Sequence, residues 1–178
     1  MRVAAIQMNS GPDVTANLEL ARNLLAAAAA EGCALAVLPE NFALMPHHGK
    51  DKTRHAEDPG EGPIQACLAA ASREHGLWVV GGSIPLVSPE IDEGRVYGGC
   101  PVFDDRGQCR ALYRKIHLFD VDLVEKGESY RESNSMYPGD EPVTVQTPAG
   151  RLGLTICYDL RFPELYRRLV DDGATLFT

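Results

Sequence analysis

Val3-Ala4-Ala5-Ile6-Gln7-Met8, the turn Ser10-Gly11-Pro12-Asp13, a segment with Val14, Leu18, Ala21, Leu25 and Ala28 spaced four and three apart, then Gly32 and the run Ala34-Leu35-Ala36-Val37-Leu38 closed by Pro39: this opening stretch decides the fold. The first run is too short for a helix and follows strand length; the spaced apolar residues form one helical face. The second run lacks polar alternation, as a strand covered on both faces does in a parallel sheet. The chain therefore opens with a βαβ unit. Asn41 to Gly62, with charged residues, proline, glycine and the pair His47-His48, reads as a long surface connection that shapes a pocket entrance. Pro63 suits a first helical position, Ile64, Cys67, Leu68 and Ala71 share a face, Gly76 ends that helix, and Leu77 to Val80 gives a third strand.

Further along, Arg95 to Phe103 and Cys109 to Lys115 are extended segments joined by Asp104-Asp105-Arg106-Gly107, a hairpin signal. A polar stretch, Asp120 to Glu141, leads to strands at Val143 to Gln146 and Leu152 to Ile156. A helix is expected from about Pro163 to Val170, and Ala174 to Thr178 reads as a last strand. Without an internal repeat or linker, residues 1–178 are expected to form a single α/β domain.

Composition narrows the function classes. The 178 residues are 44% hydrophobic and 24% charged, enough apolar side chain for a sizeable core. Seventeen Lys and Arg against 25 Asp and Glu leave a net charge of -8, and no basic cluster with interleaved aromatics supplies a phosphate-binding surface, so nucleic acid is not an expected partner. The longest apolar runs, Leu24 to Ala30 and Cys33 to Leu38, fall far short of the ~20 residues of a membrane span. Gln7, Asn9 and Asp13 interrupt the apolar block a secretory signal needs, which points to a cytoplasmic protein. Five cysteines, without a C-x-x-C pair or histidines at ligand spacing, argue against a disulfide framework and a structural zinc site.

Three residues stand where chemistry is usually placed. Cys157 ends a buried strand and precedes a helix, and strand–turn–helix is how a nucleophile is presented above a sheet, near backbone N–H groups that stabilise a thiolate or an oxyanion. Glu40 follows the strand ending at Leu38, at the carboxyl edge of a parallel sheet. Lys115 closes an extended segment, where an ammonium can hold developing negative charge. Taken alone, each has an ordinary reading: a core cysteine, a solvated loop glutamate, a wet basic face. Cys33, Cys67, Cys100 and Cys109 receive the ordinary reading outright.

Together, three segments change the weighing. Leu38-Pro39-Glu40-Asn41-Phe42, Tyr113-Arg114-Lys115-Ile116-His117-Leu118-Phe119-Asp120 and Gly153-Leu154-Thr155-Ile156-Cys157-Tyr158-Asp159-Leu160-Arg161-Phe162-Pro163-Glu164-Leu165 resemble, in order and spacing, the signature segments of the nitrilase superfamily of carbon–nitrogen hydrolases. Arg131-Glu132-Ser133-Asn134-Ser135 with Pro138-Gly139-Asp140 is most similar to its Nit-type amidase branch. The resemblance implies a four-layer α-β-β-α sandwich and a catalytic Glu40, Lys115 and Cys157, supported by Glu132, Tyr158 and Arg161. In these roles Cys157 is the nucleophile and Glu40 the proton shuttle, and Lys115 with the Tyr158 N–H stabilises the oxyanion. Glu132 orients Lys115, and no metal or cofactor is required. Arg161 and Glu164 are expected to pair and fasten the nucleophile turn, with Asp159 bracing it and His117 a packed or hydrogen-bonded neighbour. The resemblance departs at Gly98, where the family commonly has asparagine, and in length: the family sandwich continues past the strand near Ala174, so the domain is expected to be incomplete at its C-terminus.

The implied activity is hydrolysis of a small carboxylate-bearing amide, an ω-amide or a deaminated-glutathione-like compound, through a cysteine thioester. A nitrile or carbamoyl hydrolase of the same superfamily, or a truncated non-catalytic relative acting as a binding or assembly module, is the alternative. A homodimer is expected when the protein is full length, using the helix with Leu165, Leu169 and Val170. Because the net charge repels anions, a carboxylate-bearing substrate needs local cations, for which Arg54, Arg114 and Arg131 are the candidates beside Lys115.

Overall fold

The computed structural model of the chain describes residues 1–46, 51–89 and 94–178. His47 and His48 lie outside the described residues. Strand β1 (Arg2–Ala5) leads through the Ser10–Asp13 turn to helix α1 (Val14–Ala30), whose N-terminus Asp13 caps by accepting the Ala16 N–H at 3.1 Å. Ala21, Leu25 and Ala28 form its buried face. Asn17 interrupts that face: its amide group donates to the carbonyls of Gly11 and Ala43 and accepts the Gly11 N–H, so the buried polar group is fully employed in fastening the turn. Strand β2 (Cys33–Val37) then pairs parallel with β1, completing the expected βαβ unit.

A single helical turn, α2 (Asp51–Arg54), precedes α3 (Pro63–His75) and β3 (Trp78–Val80), which lies parallel to β2. Strand β4 (Ile84–Leu86) was not foreseen, being three residues with a central proline. It shares one edge of β5 (Tyr97–Phe103) with β3, while β6 (Cys109–Arg114) forms the expected hairpin on the other edge. The polar stretch holds a second surprise, a two-stranded ribbon of β7 (Asp120–Leu123) and β8 (Glu128–Arg131). It lacks apolar alternation because neither face is buried. Asp122 holds it across the strands, through both guanidinium contacts of Arg131 at 2.7 Å and the Ser129 hydroxyl.

The last strands, β9 (Thr144–Thr147), β10 (Gly150–Gly153) and β11 (Leu176–Phe177), form a separate sheet, with α4 (Pro163–Asp171) between β10 and β11. Regular pairing in β10 stops at Gly153, so the expected strand to Ile156 continues as a buried but irregular segment.

Side-chain alternation shows how these pieces stack. Ala36, Val79 and Phe103 face α1 and α3, joining Leu25, Ile64 and Leu68. Their neighbours Leu35, Val80 and Val102 face the other way, against Val145, Leu152, Leu154 and Ile156 of the second sheet. Beyond that sheet, Leu165 and Leu169 of α4 pack with Ala174 and Ile116, and Leu169 rests on Gly153. The order is helices, sheet, sheet, helix: the α-β-β-α arrangement.

Leu165 and Leu169 are therefore committed to their own chain, leaving Val170 exposed. Part of the helix's apolar surface is thus spent on its own sheet and part, at Val170, is free.

Candidate active site

Glu40 leaves the carboxyl end of β2 on a constrained turn. The Leu38 N–H donates to the Val80 carbonyl at 3.0 Å and the Asn41 N–H to the Ser83 hydroxyl at 2.8 Å. Asn41 has φ +56°, a conformation asparagine tolerates better than most residues. Gly82 packs directly under this turn with φ +54°, and a Cβ there would lie 2.0 Å from the Pro39 carbonyl oxygen, so only glycine fits.

Lys115 arrives from the other side, just beyond β6. Its N–H donates to the Gly98 carbonyl at 2.9 Å and its carbonyl accepts from Gly139 at 2.8 Å, fixing the backbone on both sides. The ammonium is buried, 2% exposed, and donates to Glu40 Oε1 at 2.8 Å and to the two Glu132 oxygens at 2.9 and 3.0 Å. Burial alone would lower its pKa, but the two carboxylates outweigh that and move it above the ordinary lysine value. Glu132 stands in a short 3-10 turn and also accepts the Phe119 N–H at 2.6 Å. One cation thus joins three separate parts of the chain.

Cys157 opens the turn after the second sheet with φ +48°, a strained value for a side chain with a Cβ. Asp159 holds this turn. Fully buried, it accepts the Ile156 N–H at 2.9 Å, the His117 N–H at 3.0 Å, the Tyr113 hydroxyl at 2.7 Å and His117 Nδ1 at 2.7 Å. Those bonds fix His117 with its proton on Nδ1, and its ring stacks on Phe162 at 3.6 Å. His117 is thus both hydrogen-bonded, to Asp159, and packed, on Phe162. Arg161 and Glu164 are exposed and form no ion pair with each other among the described residues, which corrects their expected role. The turn needs backbone N–H acceptors in a dry place, and Asp159 supplies them.

Cys157 and Glu40 line one cavity, together with Gly82, Thr155 and Ile156. Partial burial, then the Glu40 carboxylate, push its pKa above the ordinary thiol value, while Lys115 pulls it down. The thiol therefore rests protonated at neutral pH. The Tyr158 N–H makes no backbone hydrogen bond among the described residues and stands next to the thiol in sequence; the Tyr158 ring packs edge-on against Phe119 and Phe162.

Two nearby residues escaped the sequence reading. Lys52 of α2 reaches Met136, with Nζ 3.8 Å from the sulfur, and feels the charges of Glu132, Glu40 and Lys115. Burial holds its pKa below the ordinary lysine value. Met136 occupies the space left by Gly98, where an added Cβ would come within 2.9 Å of its terminal methyl. Methionine thus fills the room a side chain at position 98 would take. A lysine in a four-residue helix within a polar loop gives no periodic signal, which is why it was missed. The arginines proposed in its place are engaged elsewhere: Arg54 with Asp51, Arg114 over the Tyr97 ring and Arg131 with Asp122.

A mixed α/β sandwich with a cysteine, a lysine and two glutamates gathered at its strand ends defines the class. The carbon–nitrogen hydrolase family matches residues 2–178, and the chain belongs to it. Deaminated glutathione amidase of Yersinia enterocolitica is 36% identical, over 99% of this chain and 60% of its own length. Omega-amidase NIT2 of Homo sapiens is 38% identical, over 98% of this chain and 61% of its own length. Among solved structures, the C. elegans NitFhit protein matches with a TM-score of 0.88 and 31% identity, over 98% of this chain and 42% of its own. The chain spans about three fifths of the length of these curated relatives. Among the described residues, no helix is long and apolar enough to cross a membrane.

Proposed function

We propose that residues 1–178 belong to one carbon–nitrogen hydrolase domain that cleaves small amides carrying a carboxylate, through a thioester on Cys157. The observation that carries this reading is the Lys115 ammonium held between Glu40 and Glu132, with Glu40 and Cys157 lining one cavity. In the proposed cycle Glu40 takes the thiol proton as sulfur attacks the amide carbon. The tetrahedral oxyanion is met by Lys115 and the Tyr158 N–H. Glu40 then passes its proton to the departing nitrogen, the C–N bond breaks and ammonia leaves. Water, deprotonated by the same carboxylate, hydrolyses the thioester and restores the thiol. Glu132 keeps Lys115 charged and in place throughout. Arg161, exposed at the end of the nucleophile turn, is left with at most a peripheral part in substrate binding.

Relatives named for deaminated glutathione and omega-amide substrates support the amide class. A cytoplasmic setting belongs to the same reading, supported by five cysteines that are all unpaired. The test is chemical trapping. With a slowly turned-over amide, intact-mass spectrometry is expected to show one acyl adduct with loss of ammonia, and peptide mapping to place it on Cys157. An adduct on Cys33 or Cys67 would overturn the assignment.

A homodimer of the full-length protein is part of the proposal, through the outer side of α4, where Val170 is exposed beside Phe177 of β11. Val170→Asp is expected to halve the mass seen by light scattering. A mass that is the same for parent and variant would remove this face as the interface.

A further inference from the structure

We propose that Lys52 receives the substrate's carboxylate and so selects amides that carry an anionic group away from the bond cleaved; the inference rests on the amidase reading above. A half-buried ammonium with three N–H donors normally finds oxygen acceptors, because leaving such a group without them is costly. Lys52 has none among the described residues. Among the described residues its one polar contact is the Met136 thioether, a weak acceptor, at 3.8 Å. Glu40 and Glu132 act on it electrostatically, but neither is within ion-pair distance. Lys52 is thus held near the acidic centre without being neutralised by it.

The charges of the site show why a second cation is needed. With Cys157 protonated, Glu40 and Glu132 carry two negative charges and Lys115 one positive. Lys115 is already bonded to both carboxylates. An arriving anion meets a net negative centre on a protein of net charge -8 unless another cation stands ready. Arg54, Arg114 and Arg131 are engaged with Asp51, Tyr97 and Asp122. Lys52 remains. Met136 gives it a fixed apolar seat: the methionine is buried against Gly98, whose carbonyl accepts the Lys115 N–H, so the seat of the recognising cation is built on the strand that positions the catalytic one.

The experiment compares two ligands of one length, the monoamide and the diamide of a five-carbon dicarboxylic acid. Their binding to Cys157→Ala, which cannot turn them over, is measured by calorimetry. The monoamide is expected to bind more tightly, and adding Lys52→Met, which keeps the apolar stem on Met136, to reduce that preference by about 10- to 100-fold. Lys52→Arg is expected to keep part of it. Lys52→Gln serves in its place should the methionine variant fail to fold. A monoamide-to-diamide preference unmoved by Lys52→Met, whether both ligands weaken equally or neither does, overturns the assignment. Ammonia release separates the two claims. Hydrolysis of both amides with a preference independent of residue 52 removes only Lys52's role, whereas no hydrolysis of either removes the amidase reading and this inference with it.

Discussion

Ammonia release is expected to fall by roughly 10⁴- to 10⁶-fold in Cys157→Ala, the scale on which enzymes lose turnover when a nucleophile is removed. The fold is expected to survive, with a stability change within about 1 kcal/mol. Both halves follow from the position of the residue. Cys157 is exposed, so its sulfur adds little packing, and alanine meets the same strained φ of +48° that cysteine does. The turn is held by other atoms: Asp159 binds the Ile156 and His117 N–H groups and the Tyr113 hydroxyl whether or not sulfur is present. Removing the thiol therefore removes the reaction and leaves its support. Ammonia assays beside thermal melts check this. Turnover at the parent rate in a folded Cys157→Ala protein would exclude a thioester on this residue.

The sequence exposed some parts of this centre and concealed others for physical reasons. Cys157, Lys115 and Glu40 each lie just past an extended run, which apolar runs and turn residues mark, but each alone had an ordinary reading and the resemblance of the three segments singled them out. The ribbon at 120–131 was invisible because nothing buries either face, leaving no alternation to read. Arg161 and Glu164, which stand in the signature segment, suggested a charge pair, yet the turn is held by a buried carboxylate. An acidic residue two positions after the cysteine gives no sign that Tyr113 and His117, more than forty residues earlier, will converge on it. Lys52 was hidden for a similar reason. Its proposed role rests on the oxygen acceptors it lacks among the described residues, and what a side chain fails to touch is a property of the folded chain alone.

Glu40→Gln is expected to separate two properties that usually move together. Glutamine has the shape of glutamate and can still accept from the Lys115 ammonium, which Glu132 continues to hold, so the turn on Gly82 and the lysine should stay in place. Basicity is lost, however, and with it the acceptor for the thiol proton and the donor to the leaving nitrogen. Turnover should fall by about 10²- to 10⁴-fold, the contribution typical of a general acid–base group. The thiol should respond in the opposite direction. In the parent, the Glu40 carboxylate pushes the Cys157 pKa up and Lys115 pulls it down. Without the carboxylate the upward push is gone while the lysine remains, so the pKa drops and more thiolate is present at neutral pH. Alkylation by iodoacetamide should therefore be faster in Glu40→Gln than in the parent, with the midpoint of its pH profile shifted to lower pH. Near-normal turnover would remove Glu40 as the proton shuttle. Slower alkylation together with lost turnover would show that the carboxylate does not oppose ionisation of the thiol at all. Only a residue that restrains the nucleophile at rest and then accepts its proton predicts a variant that is more reactive toward a simple electrophile and nearly inert toward its substrate.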